Sequence, residues 1–169
     1  TGEKSGAASG EALEFLESGI DVELVSTSET KSASDSDNAD TATFVIKFKV
    51  TAIGSDVYVA STASTAVGSA PDNHRYTVDK SGTATATTVS SAFVNNTDSD
   101  LTSGGVYMIE DGESETFTLT VLKSLTACND GLYRAALTSL EWDVDDGSAM
   151  ANTYSTNLDD FKTDYIDLD

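Results

Sequence analysis

The sequence predicts an all-β protein, a single sandwich of about seven to nine short antiparallel strands. Apolar and polar residues alternate with a period of two in several runs, most clearly in Glu113–Val121 and Gly131–Val144. Ser and Thr supply 45 of the 169 residues, and there is one proline. Threonine suits a pleated, half-exposed surface, so the composition supports strands, and no run shows the period of a long helix.

Residues 1–19 are predicted to be an N-terminal extension ahead of the sandwich domain. The first ten residues are small and polar, and Glu11–Gly19 carries Leu13 and Leu16 at the helical spacing i, i+3. Leu13 and Phe15 also alternate. The periodicity therefore does not decide between a helical turn and an extended segment.

Residues 20–169 are predicted to be one sandwich domain. Its first strand is Ile20–Val25, the Ser- and Asp-rich stretch Thr27–Asp40 is a loop, and Thr43–Thr51 is the clearest strand of the chain. Further strands are predicted at Val57–Val59, Arg75–Gly82, Val106–Ile109 and Asp164–Asp169, with weaker alternation in Thr83–Val94. Polar loops are predicted at Ser61–Asn73, where an edge strand is the alternative, at Asn95–Gly105 and at Asp143–Asn157.

The runs Glu113–Val121 and Gly131–Val144 are joined by a turn-rich loop that ends in Asn129-Asp130-Gly131. Apolar residues in each run share one face, and threonines occupy the other face of the first run. Two β-patterned runs joined in this way predict neighbouring antiparallel strands.

The charge balance excludes two classes of partner. The chain has 29 acidic and 9 basic residues, a net charge of −20, so it lacks the basic footprint of a nucleic-acid-binding protein. An anionic membrane surface would repel it, and no apolar run reaches the roughly 20 residues of a membrane-spanning helix. No signal peptide is visible. The acidic residues predict a solvated exterior, which suits a salty or extracellular environment.

Catalytic machinery is not predicted. Cys128 is the only cysteine and has no Cys or His at metal-binding spacing, and any Ser-His-Asp arrangement would have to use the only histidine, His74. Paired carboxylates could serve a glycoside hydrolase, but 29 acidic residues make such pairs uninformative without geometry. We therefore expect a protein that is not an enzyme.

Two acidic stretches are candidate calcium sites, because Ca²⁺ takes six to eight hard oxygen ligands. The first comprises Asp35, Asp37, Asn38 and Asp40, and the second comprises Asp143, Asp145 and Asp146 before Gly147. Neither matches the full EF-hand pattern.

Asn95-Asn96-Thr97 is an N-glycosylation sequon, which makes Asn95 a candidate modification site. The aromatic residues that could line a sugar-binding face, Tyr58, Tyr76, Tyr107 and Trp142, lie in strand patterns, which favours packing in the core.

Two stretches resemble a family. Glu-Asp-Gly-Glu-Ser-Glu-Thr-Phe-Thr-Leu-Thr-Val at Glu110–Val121 is similar to the turn and late core strand of immunoglobulin-like domains on prokaryotic surface and extracellular filament proteins. Phe44–Val59 resembles the matching early strand and its turn. The resemblance implies an immunoglobulin-like sandwich and a role in surface display, adhesion or assembly. It carries over no catalytic residue, and the paired cysteines of antibody-type domains are absent.

These observations favour an extracellular or cell-surface structural subunit that forms a non-covalent homo-polymer. The apolar residues Leu13, Phe15, Ile20, Val22 and Leu24 would add to a neighbouring copy's sheet, because strand addition satisfies the exposed backbone groups of a sheet edge. The alternative hypothesis is a monomeric cell-surface adhesion or carbohydrate-binding module, either with calcium or without a cofactor.

Overall fold

A computed structural model provides the structure of the chain. It describes residues 18–34, 40–65, 73–82, 91–96, 100–125, 129–147 and 149–169. Within these ranges every regular element is a β-strand. The strands are β1 Gly19–Ser32, β2 Thr41–Ile53, β3 Val57–Val59, β4 Ala63–Ser64, β5 His74–Lys80, β6 Ser91–Asn96, β7 Tyr107–Ile109, β8 Ser114–Ser124, β9 Gly131–Asp143, β10 Asn152–Tyr154 and β11 Ile166–Leu168. The described residues contain no helix that could cross a membrane.

The strands form two sheets. The first sheet has four strands in the order β1-β2-β8-β6, and the second has the order β4-β5-β9-β3-β7, with β10 and β11 also paired to β9. The predicted all-β class and the packing of two sheets are confirmed. The described residues form eleven strands rather than seven to nine, because short segments such as β4 and β10 pair with the ends of longer strands.

The core lies between the sheets. The core-facing side chains of β2, including Phe44 and Phe48, are fully buried, as is Phe117 of β8. Phe48 and Phe117 are opposite each other in register and stack with ring centroids 5.6 Å apart. Tyr107 of the second sheet packs edge-on against Phe117, also at 5.6 Å. Each such side chain contributes roughly 1.5–3 kcal/mol through burial of apolar surface.

The predicted pairing of β8 with β9 is wrong. β8 pairs with β2 and β6 in the first sheet, whereas β9 is the central strand of the second sheet. The loop between them therefore crosses from one layer to the other. Two strands that each bury one face show the same alternation whether they are hydrogen-bonded neighbours or face each other across a core.

Two predicted loops begin too early in the chain. β1 continues to Ser32 through part of the predicted loop Thr27–Asp40, because its pairing with β2 resumes after a bulge at Val25. β6 includes Asn95 and Asn96, which pair with β8 although the sequence predicts a loop from Asn95. In both places the partner strand, rather than an apolar pattern, maintains the extended conformation.

Candidate functional site

The outer edges of the first sheet are the candidate assembly surfaces. β1 and β6 are its terminal strands, with 14 and 6 residues. A terminal strand presents a row of N–H and C=O groups that no neighbour in its sheet satisfies, and these groups can pair with a strand from another chain. No strand among the described residues pairs with the outer edge of either β1 or β6.

The second half of β1, Ser26–Ser32, carries features that discourage strand addition. It follows the bulge at Val25. Glu29 and Lys31 lie opposite buried Phe44 and Ala42, so both charged side chains point toward the core side of the sheet. Bulges and inward-pointing charges are ways in which natural proteins protect an edge from pairing.

The first half of β1, Gly19–Leu24, lacks these features. Ile20, Val22 and Leu24 face the core of their own chain, and Val22 is buried. Asp21 and Glu23 are exposed on the outer face, where Glu23 forms an ion pair with Lys49 of β2. Ile20, Val22 and Leu24, predicted as assembly residues, thus lie in a strand paired within the chain. The other two predicted assembly residues, Leu13 and Phe15, lie outside the described residues.

β6 is a short edge strand without ionisable side chains. Val94 is buried against the core, and Ser91, Phe93 and Asn95 are exposed on the outer face. Phe93 retains 44% of its surface exposed. Asn95, the candidate glycosylation site, is exposed on this strand rather than in a loop, and Thr97 of its sequon lies outside the described residues.

Asp40, a predicted calcium ligand, ties together distant parts of the chain. Its carboxylate lies 2.6 Å from Lys31 Nζ and accepts backbone N–H groups from Ser34 at 2.9 Å and Asp169 at 3.1 Å. The hydrogen bond from Lys31 holds the pKa of Asp40 well below its usual range. These bonds join the end of β1 to the residue after β11. Asp35 and Asp37 lie outside the described residues.

In the second predicted calcium site, the carboxylate of Asp143 likewise bonds to groups of its own chain. The Asp143 carboxylate accepts backbone N–H groups from Val144 at 2.7 Å and Ala151 at 3.0 Å. Asp145 is exposed. Within the described ranges, no three His, Cys, Asp or Glu side chains converge in a way that could hold a metal ion.

A buried polar cluster on β9 was not predicted from the sequence. Glu141 accepts hydrogen bonds from Ser139 Oγ at 3.0 Å and Thr153 Oγ1 at 2.7 Å. His74 is fully buried, and its Nδ1 accepts the Glu141 backbone N–H at 3.2 Å. Burial lowers the pKa of His74 to about 4. The serine therefore bonds to the carboxylate, whereas in a catalytic triad it would bond to the imidazole.

No sequence signal points to this cluster, because His74 lies in the polar run Asp72–Arg75, which predicts a loop. The outer face of β9 carries polar residues, as in any half-exposed strand. Ala60, Val106 and Met150 form a small second core that includes Tyr58. Residues after β9 fold back as β10 and pair with Leu140–Trp142. This pairing covers the outer face of β9 and buries Ser139 and Glu141, which the alternation pattern places in solvent.

A polar groove lies on the outer face of the second sheet. It has a volume of about 450 Å³, and its lining includes Thr77, Asp79, Thr138, Asn157 and Lys162. At its edge Arg134 forms an ion pair with Asp79 at 3.5 Å and stacks on the Tyr165 ring, 4.7 Å from the centroid. Acidic, basic and amide groups occur side by side here.

The four aromatic residues considered for sugar binding pack inside the protein, as predicted. Tyr76 and Tyr107 are buried in the main core, and Trp142 packs against it. Tyr58 packs against the second core. The comparisons with protein-family models, curated proteins and solved structures find no match to this chain.

Proposed function

We propose that the protein is a non-enzymatic structural subunit of an extracellular filament or surface layer, with an immunoglobulin-like sandwich as its building block. The observation that carries the proposal is the unequal protection of the first sheet's outer edges. The second half of β1 is protected by a bulge and inward-pointing charges, whereas Gly19–Leu24 and β6 show neither feature among the described residues.

Two different edges of one sheet, neither paired with a further strand among the described residues, favour a polymer over a closed dimer. When one edge of a subunit binds the other edge of the next, the contact is heterologous and leaves one edge open at each end. Such a contact repeats without limit unless a rotation closes it into a ring. Hydrogen bonds between strand backbones would supply most of the contact.

The N-terminal extension has a place in this proposal. Its residues Leu13 and Phe15 directly precede β1, which lies at the edge of the first sheet. An extended segment at that position would continue the edge of β1 and lengthen the contact with the sheet of a neighbouring copy. Removal of residues 1–17 should then weaken assembly without unfolding the domain, because β1 begins at Gly19.

Electron microscopy of the purified full-length chain at low and high salt tests the proposal directly. We expect ordered filaments or sheets at high salt, and fewer of them from the variant that lacks residues 1–17. Monodisperse particles under every condition would overturn the proposed function. Equal assembly with and without residues 1–17 would reject the role of the extension alone.

The groove on the second sheet favours carbohydrate binding as a second candidate function. Asp79, Asn157 and Lys162 offer hydrogen-bond acceptors and donors to a polyhydroxyl ligand, and the groove is large enough for a small sugar. Glycan-array binding that is lost in Lys162→Ala but kept in the control Lys47→Ala, on the opposite sheet, would support this function. Loss of binding on chelation would identify a calcium-dependent module, and the absence of binding would exclude carbohydrate as a ligand of the groove.

A further inference from the structure

We propose that the contact between subunits joins the first half of β1, Gly19–Leu24, of one copy to β6, Ser91–Asn96, of the next. The inference rests on the proposed polymer and specifies the surfaces that form it. In the resulting assembly the first sheets of successive copies would run on as one continuous sheet.

The two edges match in length. β6 has six residues, and the part of β1 before the bulge also has six. At about 3.3 Å per residue, each edge offers roughly 20 Å of strand. Beyond Leu24 the bulge at Val25 shifts the register, so a strand paired with Gly19–Leu24 would lose its alignment there.

Charge distinguishes this pairing from the symmetric one between two β1 strands. Asp21 and Glu23 are exposed on β1, and a symmetric β1–β1 contact would bring these carboxylates together with their copies. Like charges on opposing strands are destabilising. β6 is neutral along its whole length and carries the exposed Phe93, so it can accept the acidic half of β1 without this repulsion.

The second half of β1 is a poor partner for β6. Lys31 there forms ion pairs with Asp40 and Asp169, which hold this half of the strand to the residues before β2 and after β11. A strand added along Ser26–Ser32 would meet these ion pairs. A symmetric β6–β6 contact meets no charge repulsion, but it closes into a dimer and would not propagate.

Cysteine cross-linking tests which edges meet. In a Cys128→Ser background the pair Asp21→Cys and Phe93→Cys places one thiol on each proposed edge, and both positions are exposed. After assembly at high salt and treatment with a short bis-maleimide, we expect a ladder of dimers, trimers and longer oligomers on denaturing gels. The matched control pair, Ser28→Cys and Phe93→Cys, uses the protected half of β1 and should give no ladder.

Each outcome has a distinct meaning. Filaments in the microscope without a ladder from the Asp21→Cys and Phe93→Cys pair would overturn the inference and leave the polymer standing. Dimers alone from Phe93→Cys as a single variant would identify the symmetric β6–β6 contact and also overturn it. The absence of any assembly would overturn the proposed function itself. Circular dichroism and thermal unfolding of each variant confirm that the domain is folded.

Discussion

His74 packs edge-on against Phe48, with ring centroids 6.1 Å apart, and has no exposed surface. Its Nδ1 accepts a backbone hydrogen bond, which requires a neutral ring with the proton on the other nitrogen. Burial disfavours the charged form and lowers the pKa to about 4. The only histidine of the chain is therefore part of the core, and its titration affects folding.

Acidification should destabilise the domain through His74. Between its ordinary pKa of 6.5 and its folded pKa of about 4, the unfolded chain binds more protons than the folded one. The free energy of unfolding is therefore highest above pH 6.5 and decreases as the pH falls toward 4, by up to about 3 kcal/mol. Urea unfolding between pH 7 and pH 4.5 measures this decrease. His74→Gln should give a flatter profile, and two parallel profiles would contradict the prediction.

Calcium should have no effect on stability through Asp40 or Asp143. Asp40 and Asp143 bond to groups of their own chain, so neither carboxylate is open to a cation. We expect the same unfolding temperature in calcium and in a chelator. A rise in unfolding temperature that saturates with calcium concentration would reveal a site, because a ligand that binds only the folded state stabilises it.

At the scale of secondary-structure elements, the two halves of β1 differ as edges of the first sheet. Its second half has Thr27 and Lys31 where a strand of this sheet would ordinarily have apolar residues, so the alternation that identifies a buried strand is absent. Pairing with β2 keeps the second half of β1 extended, and this pairing depends on the residues of both strands. The sequence pattern could therefore identify the first half of β1 and not the second.

Changing the charge on the two edges that are proposed to meet should change the critical concentration for assembly. Phe93→Glu places a carboxylate on β6, where the proposed neighbour presents Asp21, and each like-charge pair costs roughly 0.2–1 kcal/mol. We expect the critical concentration for assembly to rise by up to about fivefold. Adding Asp21→Lys to the same chain should restore it. Light scattering measures the threshold, and Thr30→Glu on the protected half of β1 is the control that should leave it unchanged.

At the scale of the whole molecule, charge opposes self-association. Every copy has a net charge of −20, so two copies repel each other at long range in dilute buffer. Salt shortens the range of this repulsion, from about 10 Å at 0.1 M to about 3 Å at 1 M. Backbone pairing between strands depends much less on salt, because it involves no net charge.

Assembly should therefore increase with ionic strength. Sedimentation of the full chain should show monomers in dilute buffer and large assemblies above about 1 M salt, where screening is nearly complete. Sucrose at matched viscosity is the control and should leave the monomers intact. Assembly that weakens as salt is added would indicate contacts based on ion pairs and contradict the edge-pairing proposal.

The sequence by itself determined the all-β class, the core-facing residues of β2 and β8, and the acidic exterior. These properties follow from local alternation and composition, which need no knowledge of the partner strand. Only the tertiary structure decided that β8 and β9 lie in different sheets and that His74 is buried. Only the tertiary structure, likewise, showed which half of β1 has a protected edge. Each of these depends on contacts between residues distant in the chain, and such contacts leave no periodic trace in the sequence.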